Sequence, residues 1–182
     1  MFGQDIRALA AHKRVRLGLT RTFQNLQLFG TMTVLENVLA AVEASRKVAD
    51  RNAEARHLLD LFDLGRHAGA TTASMPYGLR KLVELARIIG TGARMLLLDE
   101  PAAGLNTAEK EHLTRILLHV IAERQLSVLL VEHDMPMVER LAERLYVLDA
   151  GRIIAQGSFA EVVRHPEVVR AYLGEAWLSG DF

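Results

Sequence analysis

The chain has 182 residues, half of them apolar, and its 22 basic side chains match its 22 acidic ones, so the formal net charge is zero. That length and apolar content exclude a disordered chain, and the neutral balance excludes a global field for nucleic acid or an anionic membrane surface. The absence of cysteine excludes disulfides and thiolate metal sites. No apolar window approaches the ~18 residues of a membrane span, and the start, MFGQDIRALAAHKRVR, lacks the apolar run of a signal peptide. The expectation is a soluble protein that reaches a membrane only through a partner.

Residues 4–16 place a basic cluster, His12 to Arg16, after a short helix-like apolar stretch, and GLTRTFQNLQLFG reads as a strand with a turn. Thr33 and Glu36 have capping-box spacing, and Leu35, Val38, Leu39 and Val42 follow at helical intervals, which predicts a helix over about 34–47. Residues 50–64 predict another, with Leu58, Leu59, Leu61 and Phe62 inward and Gly65 as its stop. A third starts at Gly78, where Leu82, Val83, Leu85, Ala86, Ile88 and Ile89 recur at helical spacing.

RMLLLDE, bounded by Gly92 and Pro101, has the pattern of a strand buried on both faces. LNTAEKEHLTRILLHVIAERQ predicts a long helix capped by Asn106 and Glu109, and SVLLVEH reads as a second buried strand. MVERLAERL is a further helix, RLYVLDAGRIIAQG a hairpin turning at Asp149-Ala150-Gly151, and SFAEVVRHPEVVRAYL two short helices, the first capped by Ser158 and Glu161. Strand, helix, strand in this order implies a right-handed parallel crossover, hence an α/β fold. Helices dominate residues 33–90 and strands follow 94, so a helical lobe on a parallel-sheet core is expected.

Ligands of parallel sheets bind beyond the carboxyl ends of the strands. Two apolar strands here end in polar pairs, Asp99-Glu100 and Glu132-His133. An Asp in that place suits Mg²⁺, a following carboxylate can orient or deprotonate a water, and His133 can contact a terminal phosphate or help to position that water. The Asp99-Glu100 end alone is equally well read as structural, and a single histidine such as His133 at a strand end is more often structural; the two ends together, with PAAGLN after the first, are far more specific.

In their order and spacing these motifs resemble the ATP-binding cassette (ABC) transporter ATPases. LLLDEPAAGLN is similar to the Walker B motif and D-loop, VLLVEHDM to the H-loop, and RTFQNLQLFGTMTVLENV to the Q-loop and the start of the helical lobe. SMPYGLRKLVELARII stands at the place of the signature motif, and VLDAGRIIAQGSFAEVVRHPEVVRAYLGE resembles the end of the catalytic domain and its tail. The resemblance runs from about Arg16 to Glu175 and is strongest to the nucleotide-binding subunits of branched-chain amino acid importers.

The resemblance implies an incomplete P-loop NTPase (RecA-like) parallel-sheet core with an α-helical lobe. Residues 1–32 would be a partial core with the Q-loop, 33–90 the helical lobe with the signature, 91–157 the core with Walker B, D-loop and H-loop, and 158–182 a helical tail. It makes Gln24 a contact to Mg²⁺ and water, Asp99 the magnesium carboxylate, Glu100 the general base and His133 the switch histidine. Pro76, Tyr77 and Gly78 become the signature that faces the ATP of a partner subunit, and Asn106 stands where the D-loop often has Asp. Leu79 replaces a usual Gln, a departure that either weakens the ATP sandwich or is tolerated.

The cofactors implied are ATP and Mg²⁺. The partners implied are ABC permease subunits and a second nucleotide-binding subunit, identical or paralogous, with no nucleic acid. The place implied is the cytoplasmic face of a prokaryotic plasma membrane, reached through the permease. A permease helix would seat near Gln24 to Phe29 and be moved as two such subunits close on ATP.

One element of the family is missing from the sequence: there is no G-x-x-x-x-G-K-[ST] phosphate loop, and GLTRTF and GTGARM lack its lysine and hydroxyl. Its loss would remove several charge-assisted hydrogen bonds of ~1.5 to 3 kcal/mol each, so the chain alone is expected not to hydrolyse ATP. An open sheet edge, exposed apolar surface and poor solubility are also expected. Three readings follow: two-thirds of an importer ATPase, a non-hydrolysing pseudo-ATPase that docks on a permease or full-length partner, or a related cassette in DNA repair or translation, which the charge balance and subfamily motifs disfavour. Importers of urea or short amides would share these motifs. The other six histidines read as solvated or packing residues, Arg46, Lys47, Arg51 and Arg56 as a solvated helix face, and Met32, Met75 and Met95 as core filler, while Trp177 has no assignable role.

Overall fold

The computed structural model describes residues 3, 5–22, 26–45 and 48–173, which fall into two units, Met1–His133 and Asp134–Phe182. In the first, the basic cluster forms a short helix, α1 (Ala11–Arg16), that buries none of its residues, and β1 (Leu19–Arg21) follows. Helix α2 (Val34–Ala44) starts from the reciprocal Thr33–Glu36 capping box and buries Val34, Val38, Ala41 and Val42.

The next helix, α3 (Arg51–Leu61), starts at Asp50, whose carboxylate accepts from the Ala53 N–H. It ends short of the expected 64 because Asp63, not Gly65, takes the left-handed conformation (φ 54°), and the Leu64 N–H closes back on the Leu59 carbonyl. That is the Schellman closure, formed here on an aspartate.

Helix α4 (Tyr77–Gly90) places Leu82, Val83, Leu85, Ala86 and Ile89 in the core with α2 and α3. Gly90 permits this approach, since a Cβ there would lie 3.1 Å from Val42 and 3.3 Å from Leu58. Met75 is buried as expected, whereas Met32 is exposed.

Strand β2 (Met95–Asp99) pairs in parallel with β1 on one side and β3 (Ser127–Val131) on the other, with Asp99 opposite Val131. Helix α5 (Thr107–Arg124) connects β2 to β3 and begins with the Asn106–Glu109 capping box. The expectation that both strands are buried on both faces is corrected. Leu96 and Leu98 are buried, but Met95 and Leu97 on the other face are half-buried, and Leu129 and Val131 beside them are 56% and 57% exposed. Among the described residues β3 is an edge of this sheet and one face is uncovered, so the expected exposed apolar surface is present.

In the second unit, α6 (Met135–Leu141) starts from Asp134, whose side chain accepts from the Met137 N–H. Strands β4 (Leu145–Asp149) and β5 (Arg152–Gly157) form the expected antiparallel hairpin, with positive φ at both Ala150 (45°) and Gly151 (78°), as a type I′ turn requires. Helix α7 (Phe159–Val162) carries the Ser158–Glu161 box, and α8 (Pro166–Val168) runs into a π-helical turn over Val169–Leu173. Ala155, Val162 and Val168 make this unit's small core.

Candidate nucleotide site

Parallel pairing brings the ends of β2 and β3 together. Asp99, the last residue of β2, is half-buried, and its N–H donates to the Thr22 hydroxyl (3.0 Å), itself buried. Glu100 takes a positive φ of 46° and donates its N–H to the Val131 carbonyl (2.9 Å). A left-handed non-glycine residue is costly and concentrates at functional turns; here it diverts the chain into Pro101. The imidazole Nδ1 of His133, just past β3, lies 3.9 Å from Glu100 Oε1 and 3.7 Å from Glu132 Oε2. Glu100 and His133 are both open to solvent, as groups that meet a ligand must be, whereas the Glu132 side chain is buried.

The start of α4 meets the segment after β2. A Cβ on Gly104 would lie 3.1 Å from the Tyr77 ring, and one on Gly78 2.6 Å from Glu109 Oε1. Pro76 is the N-cap of α4 and makes no side-chain cap bond, so the first N–H groups of this helix carry none from it. Arg80 and Lys81 lie 5.9 and 5.8 Å from the Tyr77 ring centre. Asn106 uses its side chain as a cap, accepting from the Glu109 N–H at 3.0 Å. Leu79 lines a small cleft with Leu82, Leu105 and Leu113, which accounts for an apolar residue there.

Gln24 lies outside the described residues, as do Arg46, Lys47 and Trp177. The stretch after Gln24 is held by groups that sequence reasoning missed. Glu84, buried on α4, accepts from the Gln27 N–H (3.1 Å), and Arg87 donates to the Gln27 carbonyl and stacks over Phe29 at 4.8 Å. Burial pushes the Glu84 carboxyl up, opposed by the Gln27 N–H and by Lys81 and Arg87; burial also lowers the Arg87 guanidinium. Buried Lys81 donates to the Glu100 carbonyl at 3.3 Å. The available signal was three charged residues inside the apolar periodicity of one helix.

The donor set suits a metal carried by a nucleotide. The Asp99 carboxylate fits Mg²⁺, which keeps waters and shares phosphate oxygens rather than requiring an all-protein cage, and the adjacent Glu100 carboxylate is left free to meet a water. Among the described residues no group of three His, Cys, Asp or Glu could hold a metal alone. Elsewhere, His57, His112 and His119 line one polar cleft between α3 and α5, where His57 and His119 lie 2.8 and 3.5 Å from Glu123, and His112 lies 3.6 Å from Asp63. Their separation in sequence hid this grouping.

The chain as a whole is similar to known proteins. Residues 1–103 match the ABC transporter family, and residues 152–177 match the branched-chain amino acid ATP-binding cassette transporter family. The chain is 36% identical to the high-affinity branched-chain amino acid transport ATP-binding protein BraF of Pseudomonas aeruginosa, covering 96% of this chain and 74% of that protein. It is 34% identical to LivG of Escherichia coli, a protein of the same description, over 95% of this chain and 74% of the relative. Among solved structures, the ATP-binding cassette MJ1267 of an ABC transporter, in its ADP conformation, superposes with a TM-score of 0.78 at 27% identity, covering 94% of this chain and 74% of that one. A nucleotide-free ATP-binding cassette from an ABC transporter gives 0.76 at 28% identity, covering 94% and 75%. With its paired strand ends and these matches, the chain belongs to the ABC transporter ATP-binding family, in the branch of the branched-chain amino acid cassettes.

Proposed function

We propose that this chain serves as the ATP-binding subunit of an ABC importer and couples ATP binding and hydrolysis to transport of branched-chain amino acids or similar small polar solutes. The observation that carries the reading is the meeting of Asp99, Glu100 and His133 at adjacent parallel strand ends, in a chain that resembles BraF and LivG along nearly its whole length. When bound, ATP with Mg²⁺ supplies the scissile phosphoanhydride and neutralises its charge. Asp99 and Gln24 would hold the metal and its water. Glu100 would take the proton of the attacking water, and His133 would orient it against the terminal phosphate.

Pro76, Tyr77 and Gly78 would present the start of α4 to the nucleotide of a second such subunit, where free N–H groups and the helix dipole favour anionic oxygens. Asn106 would hold the turn between the two sites. The chain would sit at the cytoplasmic face of a prokaryotic membrane through permease subunits; among the described residues no helix is long and apolar enough to cross one. Residues 1–32 and 91–157 would form the catalytic core, 33–90 the helical lobe and 158–182 the tail.

A second reading, a non-hydrolysing subunit that docks on a permease or full-length partner, is favoured by one observation: the 182 residues contain no G-x-x-x-x-G-K-[ST]. Co-expression with the permease followed by an ATPase assay separates the two. Turnover that falls ~10²- to 10⁴-fold in Glu100→Gln supports the enzyme. Co-purification with no turnover above that of Glu100→Gln removes the hydrolytic role and leaves docking.

A further inference from the structure

The Glu132 side chain is 1% exposed, yet it lies beside two residues that must meet solvent and ligand. A carboxylate so placed is unfavourable unless its oxygens are hydrogen-bonded. Oε1 accepts from the Ala102 N–H at 2.9 Å and Oε2 from the His133 N–H at 2.8 Å. These donors lie on the ends of different strands, past the last backbone rung, in which the Glu100 N–H meets the Val131 carbonyl at 2.9 Å. The ladder does not continue as backbone, because Glu100 turns left-handed, and the next two donors in its alternation, the Ala102 and His133 N–H groups, go to Glu132 instead. Glu132 replaces the lost rung with a side chain.

We propose that Glu132 is a positioning residue: its two carboxylate oxygens clasp the ends of β2 and β3 and thereby set the approach of His133 to Glu100. The functional meaning of that approach rests on the ATPase reading above, but the clasp itself does not. Two acceptor oxygens are required. A glutamine has the same size but offers one, and it turns an amide donor toward the other N–H. Side-chain volume and clasp can therefore be separated by one substitution.

Residue-resolved amide exchange and nuclear Overhauser spectra of the 182-residue chain, without nucleotide, test this in the parent and in Glu132→Gln. In the parent, the Ala102 and His133 amides should be protected, and a cross-peak should join the His133 ring to the Glu100 side chain. In Glu132→Gln, protection at Ala102 or His133 should fall at least ~10-fold beyond any fall at Leu96 and Leu98, which report global opening, and the cross-peak should weaken or vanish. Unprotected amides or a missing cross-peak in the parent overturn the proposal, and this arm holds even if the variant does not fold. A folded Glu132→Gln that keeps both amides protected overturns the clasp, and one that keeps the cross-peak overturns the positioning role. Because no nucleotide is present, the ATPase reading can fail in its own assay while the clasp stands.

Discussion

Gly78 packs its backbone against the carboxylate of Glu109, and an added Cβ would fall 2.6 Å from Oε1. Glu109 cannot simply swing aside, because its Oε2 accepts the Asn106 N–H at 2.9 Å and closes the capping box of α5. Gly78→Ala should therefore break that box, a loss of about 1 kcal/mol, against a helix-propensity gain of ~0.5 to 1 kcal/mol for alanine over glycine. Urea unfolding should show a neutral or mildly destabilising change. In a Glu109→Ala background, where the clash is gone, the same substitution should stabilise by ~0.5 to 1 kcal/mol. Equal effects in both backgrounds would count against the contact.

Asn37, fully buried on α2, is the clamp on the segment that follows Gln24. Its Oδ1 accepts from the Phe29 N–H at 2.9 Å, and its Nδ2 donates to the Phe29 and Thr33 carbonyls, each at 3.0 Å. Truncation to alanine leaves the Phe29 N–H without this acceptor, while the Phe29 carbonyl keeps the Met32 N–H and the Thr72 hydroxyl and the Thr33 carbonyl keeps the Asn37 N–H, and it should cost ~1 to 3 kcal/mol. Asn37→Asp should be at least as damaging at neutral pH, since a carboxylate would face carbonyl oxygens. Urea midpoints measure both, and faster exchange of the Phe29 amide locates the damage.

Stability should depend on pH in two opposed ways. Burial raises the Glu84 carboxyl above its ordinary 4.5, so the folded chain binds this proton more tightly than the unfolded one. That contribution is fully present below about 4.5 and is lost as pH rises through the raised value. Glu36 and Glu161 are held low by hydrogen bonds from the backbone and side chains of Thr33 and Ser158, and Glu123 by its bond to His57. Their contributions are present above the ordinary value and lost as pH falls through the lowered ones. Glu84→Gln keeps an oxygen for the Gln27 N–H, so it should flatten the decline above 4.5 and leave the acid limb unchanged in a urea series across pH.

Caps, turns and strand ends were legible in the sequence because each depends on residues close in the chain. Thr33 with Glu36, Asn106 with Glu109 and Ser158 with Glu161 form the expected boxes, and Ala150-Gly151 turns the hairpin. The order of the motifs along the chain also carries the family resemblance. Burial was not legible in the same way: SVLLV reads as a core strand, yet Leu129 and Val131 are exposed, because what covers a strand is decided by other parts of the fold. For the same reason, only the tertiary structure placed Lys81 on the Glu100 carbonyl, Glu84 on the Gln27 N–H and Glu132 between Ala102 and His133. Local hydrogen bonds and periodicity are properties of the chain, whereas a buried charge finds its partner only when distant segments meet.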